Sequence, residues 1–354
     1  MTLFRYQGLP TRVLFGSGTF SALAEECAAM GLERLLLLTT PQQTGLGDRA
    51  KALLGDRAVG LFTDATMHTP VEVTERALAT LRAVGADGIV ALGGGSTIGL
   101  GKALALRTDL PQIVVATTYA GSEMTPILGQ TDNGLKTTQR GPKIQPECAI
   151  YDVDLTLSLP AAASVASGLN AVAHAVEALY AADGNPIVTL MAQEGIRAMT
   201  AALPGILADP ADREARHGAL YGAWLCGSCL GQVSMGLHHK LCHVLGGSFD
   251  LPHAETHSII LPHAVAYNRV AGQAMNQLSQ ALGTDETPWT ALHHLARNLG
   301  APIALRDLGM PESGIAKAVE IACSAAYPNP RPLARAPLEQ LLRNAWAGAA
   351  PAEY

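Results

Sequence analysis

The stretch "GLHHKLCHVLGGSFDLPHAETH", residues 236–257, holds five of the chain's eleven histidines: His238, His239, His243, His253 and His257. Imidazole changes charge near neutral pH, moves protons and binds metals, so this density points to acid–base chemistry or a metal centre. Residues four apart share a helix face, which pairs His239 with His243 and, in "GLNAVAHAVEA", Asn170 with His174. His253 follows Pro252 and is expected in a turn. Taken singly, each histidine is more often a core or surface residue than a ligand. The repeated spacing across three segments makes the set a site.

A different chemistry is written in "ALGGGSTIGLGKALAL" (91–106), placed where a strand ends and a helix begins. Gly93, Gly94, Gly95 and Ser96 let a backbone approach a ligand closely, and the helix start aims free N–H groups at an anion. Neither G-x-G-x-x-G nor the Walker pattern fits. A second such turn, "ATTYAGSEMT" with Thr117 and Thr118, follows the next strand, and two of them at one sheet edge favour a dinucleotide. "FGSGTF" (15–20) is a weaker third candidate, equally a capped helix start. Thr39 ends the strand "RLLLLTT", where an acid would select NAD; with Thr39, Thr40 and Pro41 there, NADH and NADPH are both permitted. "NGLKTTQRGPKIQP" offers Lys136, Arg140 and Lys143 without an acid, either anchors for carboxylate or phosphate or a solvated hairpin; Lys240 and His238 are further substrate-binding candidates.

The elements that must position these groups change character along the chain. "RLLLLTT", "AVGLFTD", "GIVALGGG" and "QIVVATT" are apolar runs of strand length separated by helical segments, the pattern of a doubly wound, mostly parallel sheet covered on both faces. Asn133-Gly134 is expected to turn a hairpin, and "AIYDVD" to return as a strand. After "LTLSLP" the runs are helical. Residues 1–157 are therefore expected to form an α/β dinucleotide-binding domain and 158–354 an all-α catalytic domain. A net charge of −6 without a basic stripe argues against nucleic acid as partner. No signal peptide or membrane-spanning run is apparent, so a cytoplasmic enzyme is expected. The six cysteines, among them the pair Cys226 and Cys229 in an apolar helical run, read as reduced core residues.

In order, the GGGS loop, the TTxxGSE loop, DxxLTLSLP, SGxNAxAHAxEA, HxxxH, LPHAETH and "NPRPL" (329–333) resemble the iron-containing alcohol dehydrogenase family, which shares its fold with dehydroquinate synthase. The variants GGGSTIGLGKA, TTYAGSEMTPI and LPHAETH resemble the maleylacetate reductases within it. The resemblance implies a homodimeric enzyme that reduces the C=C bond of 2-maleylacetate, a small dicarboxylate, to 3-oxoadipate with NADH or NADPH in aromatic-compound degradation. By the same resemblance the family's ligand positions fall on Asn170, His174, His239 and His253, with His243 as a catalytic histidine. Asn170 stands where metal-dependent members carry Asp, so iron lacks its carboxylate, while His174, His239, His253 and water could still bind zinc. Gly99 likewise replaces an Asp common in the family's glycine loop. The expectation is an enzyme that does not require a metal, in which all five polar groups are catalytic. The alternative is a metal-dependent alcohol or aldehyde dehydrogenase.

Overall fold

The computed structural model describes residues 3–4, 6–132, 135–324 and 326–354, without the side chains of residues 135 and 136. Two compact units divide at Leu159/Pro160, and the described residues before Gly8 group with the second unit rather than the first.

In the unit Gly8–Leu159, six strands form one sheet: β1 (Arg12–Gly16), β2 (Leu35–Leu38), β3 (Ala58–Phe62), β4 (Gly88–Gly93), β5 (Gln112–Ala116) and β8 (Cys148–Asp152). Their order is β1-β8-β5-β4-β2-β3, with every pairing parallel. Between them run α1 (Leu23–Ala29), α2 (Thr44–Leu54), α3 (Val71–Val84) and α4 (Gly95–Thr108), and α5 (Val153–Thr156) follows β8. The four residues of β2 and the six of β4 are all buried, because both faces of the sheet carry apolar layers. The chain steps outward from β2 to β3 and returns on the other side of β2 as β4. That reversal puts the ends of β2 and β4 side by side, the place where open parallel sheets bind ligands.

β6 (Ile127–Asp132) and β7 (Leu135–Arg140) form the expected antiparallel hairpin, though its Asn133-Gly134 turn lies outside the described residues. β1 had no counterpart among the expected strands. The "FGSGTF" turn after it is held by Asp152, whose carboxylate accepts from the Gly18 and Phe20 N–H groups at 3.0 and 2.9 Å. That carboxylate already satisfies the turn, as the capped-start reading required.

The other unit is helical among its described residues: α6 (Ala161–Leu179), α7 (Pro186–Ala208), α8 (Arg213–Gln232), α9 (Leu237–Phe249), α10 (His253–Tyr267), α11 (Gly272–Leu282), α12 (Pro288–Asn298), α13 (Gly314–Cys323) and α14 (Arg335–Ala347). α6 is buried along nearly its whole length, so its polar residues sit in the interior by construction. Asn185 and Asp212 cap α7 and α8 through their side chains. Leu237, Leu241 and Leu245 of α9 join α10, α13 and α14 in one core, which fixes the azimuth of the α9 histidines. Cys226 and Cys229 are free thiols buried in α8, as expected of core residues.

Candidate active site

Gly94 precedes α4 and no side chain caps the helix, so its first N–H groups are open to an anion. A Cβ on Gly94 would lie 2.7 Å from the Thr118 side chain, so the two loops approach as closely as backbone allows. The Thr117 N–H donates to the Gly93 carbonyl (3.1 Å), and Gln43 Nε2, from the segment after β2, donates to Thr117 Oγ1 (3.0 Å). The glycine loop, the threonine loop and the end of β2 thus form one bonded edge. Lys102 of α4 ties it further, donating to the Ser122 carbonyl, Thr125 Oγ1 (2.8 Å) and the Ile127 carbonyl (2.9 Å); burial pushes its ammonium down to about 7. Ser96 is the second residue of this helix and carries one of its open N–H groups, whereas Thr39 is wholly buried.

In the helical unit, six imidazoles form one connected cluster. His174 from α6, His238, His239 and His243 from α9, and His253 and His257 from α10 lie with neighbouring ring centroids 4.3 to 6.4 Å apart. The cluster is layered: His243 and His253 are exposed, with rings stacked at 21°, while His174, His238, His239 and His257 are buried behind them. His174 Nδ1 and His239 Nε2 are 2.8 Å apart, and His238 Nε2 and His257 Nδ1 2.9 Å apart. Burial and neighbouring imidazoles hold His238 and His257 well below the ordinary histidine range, so both are neutral.

The pairs Asn170/His174 and His239/His243 lie on helices as the spacing predicts, on α6 and α9, and His174, His239 and His243 belong to the cluster. His253 is not in a turn: Pro252 caps α10 and His253 is its first residue. "HAETH" is thus a third helical i, i+4 pair, and it brings in His257. Pro252 followed three residues later by Glu255 is the helix-start signal that could have shown it. Glu177 was also missed, although it lies one turn after His174. Its carboxylate is 1% exposed, with Oε2 2.8 Å from His239 Nδ1.

The cationic candidates scatter. Lys240 lies on α9 with its Nζ 6.0 Å from the Tyr327 ring. Lys143 is paired with Asp109 at 2.8 Å, and Arg140 is exposed on β7, both in the α/β unit. The side chain of Lys136 lies outside the described residues. Asn329, which opens "NPRPL", accepts the Leu237 N–H (3.2 Å) and exchanges amide hydrogen bonds with Asn268, anchoring the start of α9.

Would these residues hold the iron of the resembled family? Among the described residues, the group whose metal-capable atoms all lie within 4.8 Å of one another is His238, Cys242 and His257, not His174, His239 and His253. The facing nitrogens of His174 and His239 are spent on each other. Asn170 Oδ1 is buried without a partner, a lone pair but not a charge. A neutral amide and imidazoles bring no first-shell carboxylate to a divalent cation, so the donor set does not fit iron.

Residues 10–153 match the family described as iron-containing alcohol dehydrogenase, and 164–346 that described as Fe-containing alcohol dehydrogenase family, C-terminal. A maleylacetate reductase of Sphingobium indicum is 56% identical over 98% of this chain and 99% of its own. The crystal structure of maleylacetate reductase from Rhizobium sp. strain MTP-10005 is 54% identical, superposes with a TM-score of 0.95, and is covered over 99% of this chain and 100% of that one. A putative alcohol dehydrogenase from Ralstonia eutropha, 50% identical, covers 99% and 100% with a TM-score of 0.98. The expected dehydroquinate synthase-like architecture stands, and the chain belongs to the iron-containing alcohol dehydrogenase family, grouped there with the maleylacetate reductases.

Proposed function

We propose that this chain reduces the carbon–carbon double bond of 2-maleylacetate to give 3-oxoadipate, with NADH or NADPH as hydride donor. The observation that carries the reading is the layered imidazole cluster, rich in proton-transfer groups, with neutral Asn170 one turn before His174 on α6. Similarity to relatives named maleylacetate reductase over the full chain supports the substrate.

A reduced nicotinamide, when bound, supplies the hydride. The open N–H groups at the start of α4 suit its diphosphate, with Gly93, Gly94, Gly95, Ser96, Thr117 and Thr118 as the lining, and the neutral end of β2 admits either cofactor. In the substrate the double bond is conjugated to a ketone. Hydride addition at the carbon farther from that ketone moves the electron pair onto the ketone oxygen, and a proton must then reach the carbon beside it. His243 and His253, exposed at the front of the cluster, carry these contacts: an N–H for the oxygen and a proton for the carbon, replenished from solvent. His174 and His239 were among the five groups expected to be catalytic. Buried and bonded to each other, they instead back the front pair, as His238 and His257 do behind them. Lys240, on the same helix, is a candidate for a substrate carboxylate; Arg140, Lys136 and Lys143 are candidates for a carboxylate or for a cofactor phosphate. Catalysis needs no metal on this reading, and the homodimer stands as an expectation of the resemblance.

Oxidation of NADH and NADPH followed with 2-maleylacetate and, separately, with simple aldehydes tests substrate, cofactor and reaction together. Turnover of maleylacetate that survives chelation is the expected result. Aldehyde turnover alone, or activity lost with a stoichiometric metal, replaces this reading with that of a metal-dependent alcohol or aldehyde dehydrogenase.

A further inference from the structure

The Glu177 carboxylate faces four donors at once. Oε1 accepts the His238 N–H (2.9 Å), and Oε2 accepts the N–H groups of Gly236 (2.9 Å) and His239 (3.3 Å) and contacts His239 Nδ1 (2.8 Å). Three of the four are backbone N–H groups at the start of α9 and can only donate. A lone pair on His239 Nδ1 would be repelled by that oxygen, so the nitrogen carries hydrogen. With Nδ1–H as the ring's one hydrogen, His239 has a lone pair at Nε2, and the 2.8 Å contact with His174 Nδ1 then places the shared hydrogen on His174. His174 Nε2 is left without hydrogen, as an acceptor.

Resting on the reductase reading, we propose that Glu177 is a positioning residue for the reaction: through His239 it selects one proton arrangement of the His239–His174 pair and so sets the donor and acceptor pattern behind the reacting front of the cluster. Two imidazoles bonded only to each other have two arrangements of similar energy, since either ring can donate. The carboxylate leaves one. All three side chains are buried, 1% exposed at Glu177, 6% at His239 and 3% at His174, so water does not re-sort the hydrogens. The capping of α9 and the ordering of the tautomers are carried by the same two oxygens, which couples the helix position to the proton pattern.

Nitrogen-15 NMR of histidine-labelled wild-type protein tests the arrangement without turnover. Both His239 and His174 are expected as Nδ1–H tautomers; finding either as the Nε2–H form overturns the proposal, whatever the substrate proves to be. Glu177→Gln keeps the shape but brings a donor to His239. It is expected to lower kcat about 10- to 100-fold while leaving KM for maleylacetate and the dissociation constant of NAD(P)H within about twofold. In a His239→Gln background, where the chain of hydrogen bonds is already cut, E177Q is expected to cost no further kcat. Additive losses, or an unchanged kcat in folded E177Q, would mean that Glu177 only caps α9. If wild-type protein shows the tautomers but does not turn over maleylacetate, the reductase reading fails and the arrangement stands.

Discussion

Gly99 stands where the family resemblance implies an acid, and the structure shows what fills the space. A Cβ on Gly99 would lie 2.3 Å from Thr69 Oγ1, well inside contact distance. Thr69 is buried and adopts φ 47°, next to His68 at φ 64°; a β-branched residue in the left-handed region is strained by roughly 1–2 kcal/mol. Gly99→Ala therefore has two opposed effects. Inside a helix, alanine is favoured over glycine by about 1 kcal/mol, while forcing a methyl group into packed space costs roughly 2 kcal/mol. The net is a loss of about 1 kcal/mol. In a Thr69→Gly background the hydroxyl is gone, only the helix term survives, and the same G99A change is expected to stabilise by about 1 kcal/mol. Urea unfolding of the four proteins of this cycle measures the sign inversion and a coupling of about 2 kcal/mol. Because α4 begins at the glycine loop, G99A alone should also weaken NAD(P)H binding, and the double variant should recover it. Should G99A stabilise the wild-type background as much as the T69G one, Thr69 has simply rotated away and the close approach means nothing.

Three further outcomes are expected. Burial pushes His263 down to about 3, so between pH 6.5 and 3 the unfolded chain binds a proton that the fold refuses, and stability is full above pH 6.5 and lost as pH falls. At pH 5 the loss is about 2 kcal/mol, from 1.5 units at 1.36 kcal/mol each, and His263→Gln should remove it in denaturant midpoints compared at pH 7.5 and 5.0; an equal wild-type-to-variant difference at both pH values disproves the assignment. Lys102→Met strips the donor from the Ser122 and Ile127 carbonyls and Thr125 Oγ1, so it should destabilise by roughly 3 kcal/mol and raise the NAD(P)H dissociation constant with kcat retained at saturation, which fluorescence titration and steady-state kinetics read separately. Asn170→Asp places a charge where a neutral lone pair sat, so the melting temperature should fall without metal and rise with added Zn2+ more than in wild type; an identical zinc response in both proteins would show that residue 170 does not decide metal affinity.

Legibility in the sequence followed burial. β2, β4, β5 and β8 are runs of buried apolar residues, and such runs announce a parallel sheet. β1 is an edge strand with a half-exposed pattern, and "RVLFG" carries too weak a signal to be separated from the glycine turn after it. Among the histidines, the α6 and α9 pairs are visible because helix periodicity is local. His253/His257 was hidden because a proline before a histidine reads equally well as a turn or a helix start. Glu177 and Lys102 act on partners far along the chain, and no spacing rule connects a carboxylate on α6 to the N–H groups that open α9.

That last contact also changes the meaning of the neutral residue at position 170. The sequence shows a carboxylate absent from the position where it would face a cation, which on its own describes a weakened metal site. The structure shows a buried carboxylate two turns further along the same helix, that of Glu177, with its lone pairs engaged by three backbone N–H groups and one imidazole. Negative charge here compensates the positive end of α9 and orders the hydrogens of two imidazoles. On the proposed reading, one buried side chain both fixes the start of α9 and orders the hydrogens of the His239–His174 pair, and neither task leaves its oxygens free for a cation.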